Sequence, residues 1–316
     1  MAMPLVETKN LKKYFKTGAG MLHAVEDVNL KIMPGKTLGV VGESGCGKST
    51  LGRTILRLQP ATAGEVLYNG ENILKYKGKD MQKIHLNMQM VFQDPYSSLD
   101  PRMSVHNLIA EPVQVCGLLK TKAEVNEHVR EIMDMCGLPA DQANLFPHEL
   151  DGGLRQRVGL ARAMAVSPKF IVCDEPVSAL DVSIQAQILN LLMDLQEQRK
   201  LSYMFITHDL CVVKHISDEI MVMYMGQVVE HAKTAELFAN PVHPYTKALL
   251  HAVPTIDLSK RNREGFMLRG EVTSPINPAP GCRFAPRCPY ATDKCKENVC
   301  LKEVSPDHFV ACSLCD

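Results

Sequence analysis

The chain has 316 residues, and its 35 basic and 35 acidic side chains give a formal net charge of zero at pH 7. This balance argues against a broad nucleic-acid-binding surface, and the length is enough for about two domains. No apolar run approaches the roughly 18 residues of a membrane-spanning helix, and residues 1–7 lack the basic end and apolar core of a signal peptide. We therefore expect a cytosolic protein.

The predicted elements follow in chain order. Apolar runs predict strands at 5–12, 24–32, 37–41, 65–69 and 88–92, with a helix at 50–58. A helical pattern extends over about 104–165 and is clearest at 125–136 and 154–164. The strand at 170–173, helix at 182–197, strand at 203–206, helix at 210–216 and hairpin of 220–224 with 227–230 complete the pattern. This alternation predicts an α/β fold with a mostly parallel sheet and an inserted helical subdomain.

Residues 42–49 read GESGCGKS and match the phosphate-loop pattern G-x-x-x-x-G-K-S/T without a mismatch. A predicted strand precedes them and a predicted helix follows, which is the setting that nucleoside triphosphate binding requires. Lys48 would reach the β- and γ-phosphates, and the Ser49 hydroxyl would ligate Mg²⁺. The predicted nucleotide contacts are Gly42, Ser44, Gly45, Cys46, Gly47, Lys48, Ser49 and Thr50. The alternative is a glycine-rich turn that binds nothing.

Cys46 has two interpretations. A thiol at a helix N-terminus has a lowered pKa and is open to oxidation. The alternative, which we favour, is a small residue that fills a small space.

A second nucleotide-binding pattern lies at residues 170–175. Asp174 ends an apolar run, where a carboxylate can hold Mg²⁺ directly or through water, and Glu175 is a candidate general base for the attacking water. Two acids at a strand end are common surface residues when they occur alone. Together with the phosphate loop they predict ATP or GTP hydrolysis. His208, taken alone, would be a structural histidine.

Residues 150–157, LDGGLRQR, resemble the signature motif of ATP-binding cassette (ABC) ATPases. Gln93, Asp174 with Glu175, residues 178–181 and His208 match the glutamine loop, the acidic pair, the D-loop and the switch histidine in the family's order, so the resemblance covers about 5–254. Residues 92–102, 146–150, 241–246 and 274–284 are similar to the ATP-binding subunits of oligopeptide/dipeptide importers, a family that includes nickel and some sugar importers.

The resemblance implies an ABC-type P-loop ATPase core with an antiparallel β subdomain, a helical subdomain at about 104–165 and a small Cys-rich C-terminal extension. It implies domains at 1–254 and 255–316. Glu175, His208 and Gln93 would be catalytic, and Mg²⁺ would be bound by Ser49, Gln93 and Asp174. Phe15, or alternatively Tyr14, would stack on adenine. Asp151, Gly152 and Gly153 would face the ATP of a partner cassette in a head-to-tail pair.

Asp151 departs from the family pattern, which has serine there. As a helix N-cap aspartate equals serine, but next to a γ-phosphate it replaces a donor with a negative charge. We expect an asymmetric pair in which the partner's ATP is hydrolysed slowly, and hence a heterodimer. The alternative is that Asp151 turns aside or is protonated.

Six of the eleven cysteines lie in the last 35 residues, after a proline-rich stretch at 274–280. In a cytosolic protein they are expected to be free thiols or metal ligands. Their spacing is not that of a zinc ribbon, but four of them match cysteine positions of the family's tail: Cys282, Cys288, Cys295 and Cys312. These would hold a 4Fe–4S cluster or zinc. The alternative is a small folded tail with reduced cysteines.

The resulting hypothesis is an ATP-hydrolysing motor subunit of a peptide importer, peripheral on the cytoplasmic face of the membrane. Its expected partners are two transmembrane permease subunits, a second ABC ATPase subunit and, indirectly, an extracytoplasmic substrate-binding protein, with no nucleic acid. The alternatives are a soluble ABC ATPase that acts on ribosomes or DNA, and an ATP-binding regulatory partner. Nickel, murein fragments and sugars remain open as cargo.

Overall fold

The computed structural model describes residues 3–252, 274–297 and 299–315. In these ranges the β-strands are β1 (Val6–Thr17), β2 (Gly20–Ile32), β3 (Thr37–Val41), β4 (Ala63–Tyr68), β5 (Glu71–Asn72), β6 (Met88–Val91), β7 (Phe170–Asp174), β8 (Ser202–Thr207), β9 (Glu219–Tyr224), β10 (Gln227–Lys233), β11 (Lys302–Ser305) and β12 (His308–Val310). The α-helices are α1 (Lys48–Ile55), α2 (Gly78–Asn87), α3 (Pro95–Ser98), α4 (Val105–Val115), α5 (Lys122–Met135), α6 (Gly152–Met164), α7 (Val182–Arg199), α8 (Leu210–Ile216), α9 (Thr234–Ala239) and α10 (Pro244–His251). None of the helices in these ranges is both long and apolar enough to cross a membrane.

The chain divides into two compact units. The first unit combines Met1–Leu74 with Phe205–Asp316, and the second unit is Lys75–Met204. The predicted domain boundary between 254 and 255 lies outside the described residues and stays a prediction.

The first unit contains an antiparallel sheet in the order β2-β1-β4-β5. β1 and β2 form a long hairpin in which Val6 lies opposite Ile32 and Tyr14 opposite His23. In β1 the buried residues are Val6, Thr8, Leu11 and Lys13, so the alternation expected for a sheet with one solvated face is interrupted where the register shifts between Thr8 and Leu11. The sheet agrees with the antiparallel β subdomain that the resemblance implies.

The phosphate-loop strand β3 lies in a second sheet of the first unit. Its five residues are all buried, and it pairs in parallel with β9. The predicted β9–β10 hairpin is present, and β10 continues antiparallel to β12, which pairs with β11. The expected mostly parallel sheet is therefore extended by antiparallel strands, two of which come from the cysteine-rich tail.

The tail also supplies part of the apolar core of the first unit. Phe284 is fully buried, and its ring packs edge-on against Tyr224 with 5.2 Å between centroids. Tyr245 of α10 packs on the same Tyr224 ring at 4.8 Å. These aromatic contacts attach the segment after residue 280 to β9 and α10.

The second unit contains the parallel pair β6–β7 and the helices α2 to α7. α4, α5 and α6 lie within the predicted helical subdomain at 104–165. α5 begins with a capping box in which Thr121 and Glu124 bond each other's backbone N–H groups. α2 was not expected from the sequence, because only Ile84 of its ten residues is buried.

Candidate functional site

The loop between β3 and α1 depends on glycine. Gly42, Gly45 and Gly47 have φ angles of 155°, 77° and 104°, which residues with a Cβ rarely adopt. A Cβ on Gly47 would lie 2.0 Å from the carbonyl oxygen of Ala24, and one on Gly42 would lie 2.2 Å from that of Met223. The backbone is therefore packed into a tight concave turn, which is the arrangement in which backbone N–H groups surround phosphate.

Lys48, the first residue of α1, is held over this loop. Lys48 is buried, with 4% of the residue's surface exposed. Nζ donates to the carbonyl oxygens of Gly42 at 2.7 Å and Glu43 at 2.9 Å. The same ammonium group lies 3.8 Å from Sγ of Cys46, and it can exchange these loop contacts for phosphate oxygens. Ser49 and Thr50 follow in the first turn of α1, where a hydroxyl suits Mg²⁺, so the loop fits a magnesium-bound nucleoside triphosphate.

Cys46 is buried within the loop. Burial raises the pKa of its thiol, and the neighbouring Lys48 ammonium offsets this only in part. A reactive thiolate is therefore disfavoured, and the structure supports the small buried residue.

Two predicted catalytic residues lie together in the second unit. Nε2 of Gln93 donates to Oε2 of Glu175 at 3.0 Å. Asp174, at the end of β7, is fully buried. Glu175 has a left-handed φ of 47°, which is uncommon for a side chain of its size and concentrates at functional sites. The chain thus leaves β7 through a left-handed backbone turn at Glu175.

The signature segment forms the start of α6. Asp151 is the N-cap, with Oδ1 accepting from the backbone N–H of Leu154 at 2.8 Å. A Cβ on Gly153 would lie 2.7 Å from Cγ2 of Ile184 on α7, so this glycine allows the two helices to approach. In the D-loop, the Ser178 hydroxyl donates to the carbonyl of Glu175 at 3.1 Å.

The remaining predicted contacts belong to the first unit. His208 is exposed directly after β8, next to Asp209, the N-cap of α8. Tyr14 stacks on His23 with 4.0 Å between centroids and donates its hydroxyl to Glu26. Phe15 is half-buried, with Nζ of Lys13 4.6 Å from its ring centroid. Tyr14 is therefore engaged through one ring face and its hydroxyl, and adenine stacking by Phe15 stays a prediction.

One set of contacts to the phosphate loop was not expected from the sequence. The guanidinium of Arg287 pairs with the Glu43 carboxylate at 2.8 Å, and the Tyr245 hydroxyl accepts the backbone N–H of Glu43 at 2.9 Å. These residues are more than 200 positions from Glu43, and no local pattern connects them. The only sequence signal is an arginine among the tail cysteines.

The tail cysteines are close but do not form a metal site. The backbone N–H of Cys282 donates to the carbonyl of Cys295 at 2.8 Å. Burial raises the pKa of the Cys282 thiol to about 11, and the charges of Cys295 and Cys312 add to the shift. In the described ranges, which contain all four predicted ligands, no group of three or more His, Cys, Asp or Glu is arranged to hold a metal ion. The expected iron–sulfur or zinc site, which included Cys288, is therefore not supported, and none of the eleven cysteines is in a disulfide bond.

A phosphate loop of this form, with an aspartate at the end of a buried strand, defines a P-loop nucleoside triphosphatase. The family model described as "ABC transporter" matches residues 25–178, and "Oligopeptide/dipeptide transporter, C-terminal region" matches residues 229–295. The chain belongs to the ABC transporter family, among the ATP-binding subunits of oligopeptide/dipeptide transporters. It is an ABC-type ATPase that binds ATP and Mg²⁺.

Individual relatives span the whole chain. It is 47% identical over 320 residues to "Oligopeptide transport ATP-binding protein AppF" of Bacillus subtilis (strain 168), with 98% of this chain and 97% of that protein covered. It is 49% identical over 315 residues to "Oligopeptide transport ATP-binding protein OppF" of the same organism, with 99% and 97% covered.

Solved structures show the same fold. The ATP-binding cassette MJ0796, in a dimeric post-hydrolysis state bound to ADP and Pi, matches with a TM-score of 0.67 and 30% identity, covering 72% of this chain and 98% of that one. The structure of cbiO1 from Clostridium perfringens, part of the ABC transporter complex cbiONQ, matches with a TM-score of 0.67 and 25% identity, covering 75% and 92%.

Proposed function

We propose that this chain is the motor subunit of a membrane importer for oligopeptides or dipeptides, and that it couples ATP binding and hydrolysis to uptake. The observation that carries the proposal is the phosphate loop, with Lys48 held over tightly packed glycines, in a chain of this family. The peptide cargo is supported by relatives named as oligopeptide transport ATP-binding proteins.

Within the first unit, the loop backbone and Lys48 would bind the β- and γ-phosphates, Ser49 would ligate Mg²⁺, and Phe15 would stack on adenine. His208 would contact the γ-phosphate. Within the second unit, Asp174 and Gln93 would provide oxygen ligands for Mg²⁺, and Glu175 would accept a proton from the attacking water. When bound, Mg²⁺ neutralises charge that develops on the phosphates.

The proposed assembly contains two permease subunits and a second cassette, with this chain peripheral on the cytoplasmic face. An extracytoplasmic substrate-binding protein would deliver the peptide. Asp151, Gly152 and Gly153 at the start of α6 would face the ATP of the second cassette. Residues 255–316 would be the family's C-terminal extension, with no metal assigned to it. The names of the relatives do not favour a soluble ATPase acting on ribosomes or DNA.

The test is a pull-down from detergent-solubilised native membranes. A tagged chain carrying Glu175→Gln is used with Mg-ATP, because slow hydrolysis should trap the closed pair of cassettes. Recovery of two polytopic permease chains and a second cassette is the expected result. The Lys48→Ala variant is the matched control, since it should not be trapped by ATP. Recovery of ribosomes or DNA-repair proteins without membrane partners would refute the importer.

A further inference from the structure

Glu43, the second residue of the phosphate loop, is paired with an arginine from the C-terminal tail. Nη1 of Arg287 donates to Oε2 of Glu43 at 2.8 Å, and Nη2 donates to Oε1 at 3.2 Å. The Arg287 side chain is 8% exposed and that of Glu43 is 25% exposed. A two-pronged pair of this kind fixes the orientation of the carboxylate as well as its charge.

The arginine itself is held by a packed aromatic cluster. Arg287 ends a short 3₁₀ turn, Ala285–Arg287, directly after the buried Phe284. Its guanidinium lies 5.9 Å from the ring centroid of Tyr224, against which both Phe284 and Tyr245 pack. Because these rings belong to the buried core, they fix the position of the guanidinium that bonds to Glu43.

Three residues from different parts of the chain bond to Glu43: Arg287, Tyr245 and Lys48. The tail holds its side chain through Arg287, and the Tyr245 hydroxyl accepts its backbone N–H at 2.9 Å. Its carbonyl accepts from Nζ of Lys48 at 2.9 Å. When a nucleotide binds, Lys48 is drawn to the phosphates, and Arg287 and Tyr245 then remain to keep Glu43 in place.

We propose that Arg287 is a positioning residue that acts through Glu43 to keep the phosphate loop in its nucleotide-binding conformation. The inference rests on the proposed function only in taking ATP as the ligand. A loop that is ordered in advance loses less conformational freedom on binding, so the pair strengthens nucleotide binding without touching the nucleotide. The C-terminal extension thereby becomes part of the ATPase site.

The test measures the affinity of Arg287→Met, Glu43→Gln and the double variant for a fluorescently labelled ATP analogue, since the chain has no tryptophan. Each single variant should weaken binding by about five- to tenfold, which corresponds to the net contribution of one ordinary hydrogen bond, because the contact acts on the nucleotide only through the loop. The double variant should be no weaker than either single one, because both remove the same contact. Arg287→Lys, which keeps the charge but loses the fork, should recover affinity only in part. In the assembled transporter KM for ATP should rise severalfold with kcat within about twofold.

Arg283→Met is the matched control. Arg283 is also a buried tail arginine paired with a glutamate, but its partner is Glu26 of β2, at 3.0 Å. Its loss should lower thermal stability as Arg287→Met does, yet leave affinity for the ATP analogue within about twofold. Equal affinity of Arg287→Met and the unaltered chain, or additive losses in the double variant, would overturn the inference. Failure of the unaltered chain itself to bind the analogue more tightly than Lys48→Ala would instead count against the proposed function.

Discussion

The side-chain amide of Gln93 donates a hydrogen bond to Oε2 of Glu175 over 3.0 Å, although 82 positions separate the two residues in the sequence. Gln93 follows β6 and Glu175 follows β7, and these two strands pair in parallel. The carboxyl ends of the paired strands therefore bring the proposed water-activating carboxylate and the glutamine-loop amide together. The amide oxygen of Gln93 remains the atom suited to bind a metal.

Replacing Glu175 by glutamine should stop hydrolysis without stopping nucleotide binding. An amide cannot accept the proton of the attacking water, so we expect turnover to fall by about 10²- to 10⁴-fold. Phosphate release by the assembled transporter measures this, and the labelled ATP analogue should bind as tightly as before. Gln93→Ala removes the hydrogen bond but keeps the carboxylate, and its loss of turnover should be smaller. Turnover of Glu175→Gln within tenfold of the unaltered protein would exclude this residue as the base.

The strands that lead to the phosphate loop and to the acidic pair could be predicted, because the sequence patterns that indicate them are local. Residues 37–41 and 170–173 are continuous apolar runs, and the structure has them as the buried strands β3 and β7. β1 was predicted to end at residue 12 but extends to Thr17, because residues 13–17 lack a run of apolar side chains and are held in the strand by pairing with β2. The pair of Arg287 with Glu43 could not be predicted, since no periodicity links positions 244 apart.

The hairpin of β11 and β12 should depend on a buried hydrogen-bonded contact between Glu230 and His308. Glu230 is fully buried and accepts the backbone N–H groups of Val242 at 2.8 Å and His243 at 2.9 Å. Nε2 of His308 in β12 lies 2.8 Å from Oε1, the oxygen that also accepts from Val242. Glu230→Gln turns one acceptor into a donor facing other donors. We expect it to lower the free energy of unfolding by about 1–3 kcal/mol, measured by urea denaturation.

Lys233→Ala provides the comparison for this pair. Lys233 also links β10 to the tail hairpin, through Asp307 at 2.6 Å, but both side chains are exposed. Solvent screens such a pair, so its loss should change stability little. Equal effects of the two substitutions would show that burial of the Glu230 pair does not determine its contribution.

His243 should make the protein less stable in acid. Burial lowers the pKa of this imidazole from its ordinary 6.5 to about 3, and Nδ1 accepts the backbone N–H of Tyr245 at 3.1 Å. Between those pH values the unfolded chain binds a proton that the folded chain does not. The free energy of unfolding therefore falls as pH is lowered through this window, by up to about 1.4 kcal/mol per pH unit for one group.

His243→Asn tests this, because asparagine keeps an N-cap acceptor at the start of α10 and removes the titrating group. Urea midpoints at pH 7 and pH 5 should differ less in this variant than in the unaltered protein. An identical pH dependence in His243→Asn would show that the pKa of His243 is the same in the folded and the unfolded protein.

Asp151 should slow the hydrolysis of ATP held by a partner cassette. Its carboxylate caps α6 through the backbone N–H of Leu154, and the residue is exposed. Two negative charges about 4 Å apart near a protein surface repel by about 4 kcal/mol, so a phosphate facing this cap is disfavoured. Asp151→Ser and Asp151→Asn keep the cap and remove the charge. Both should raise turnover of the assembled transporter severalfold, with the free energy of unfolding unchanged within about 0.5 kcal/mol.

Asp151→Ala separates the two roles, because it should also raise turnover while losing about 1 kcal/mol of stability. If none of the three variants changes phosphate release, Asp151 acts only as a helix cap, and the two ATP sites need not differ.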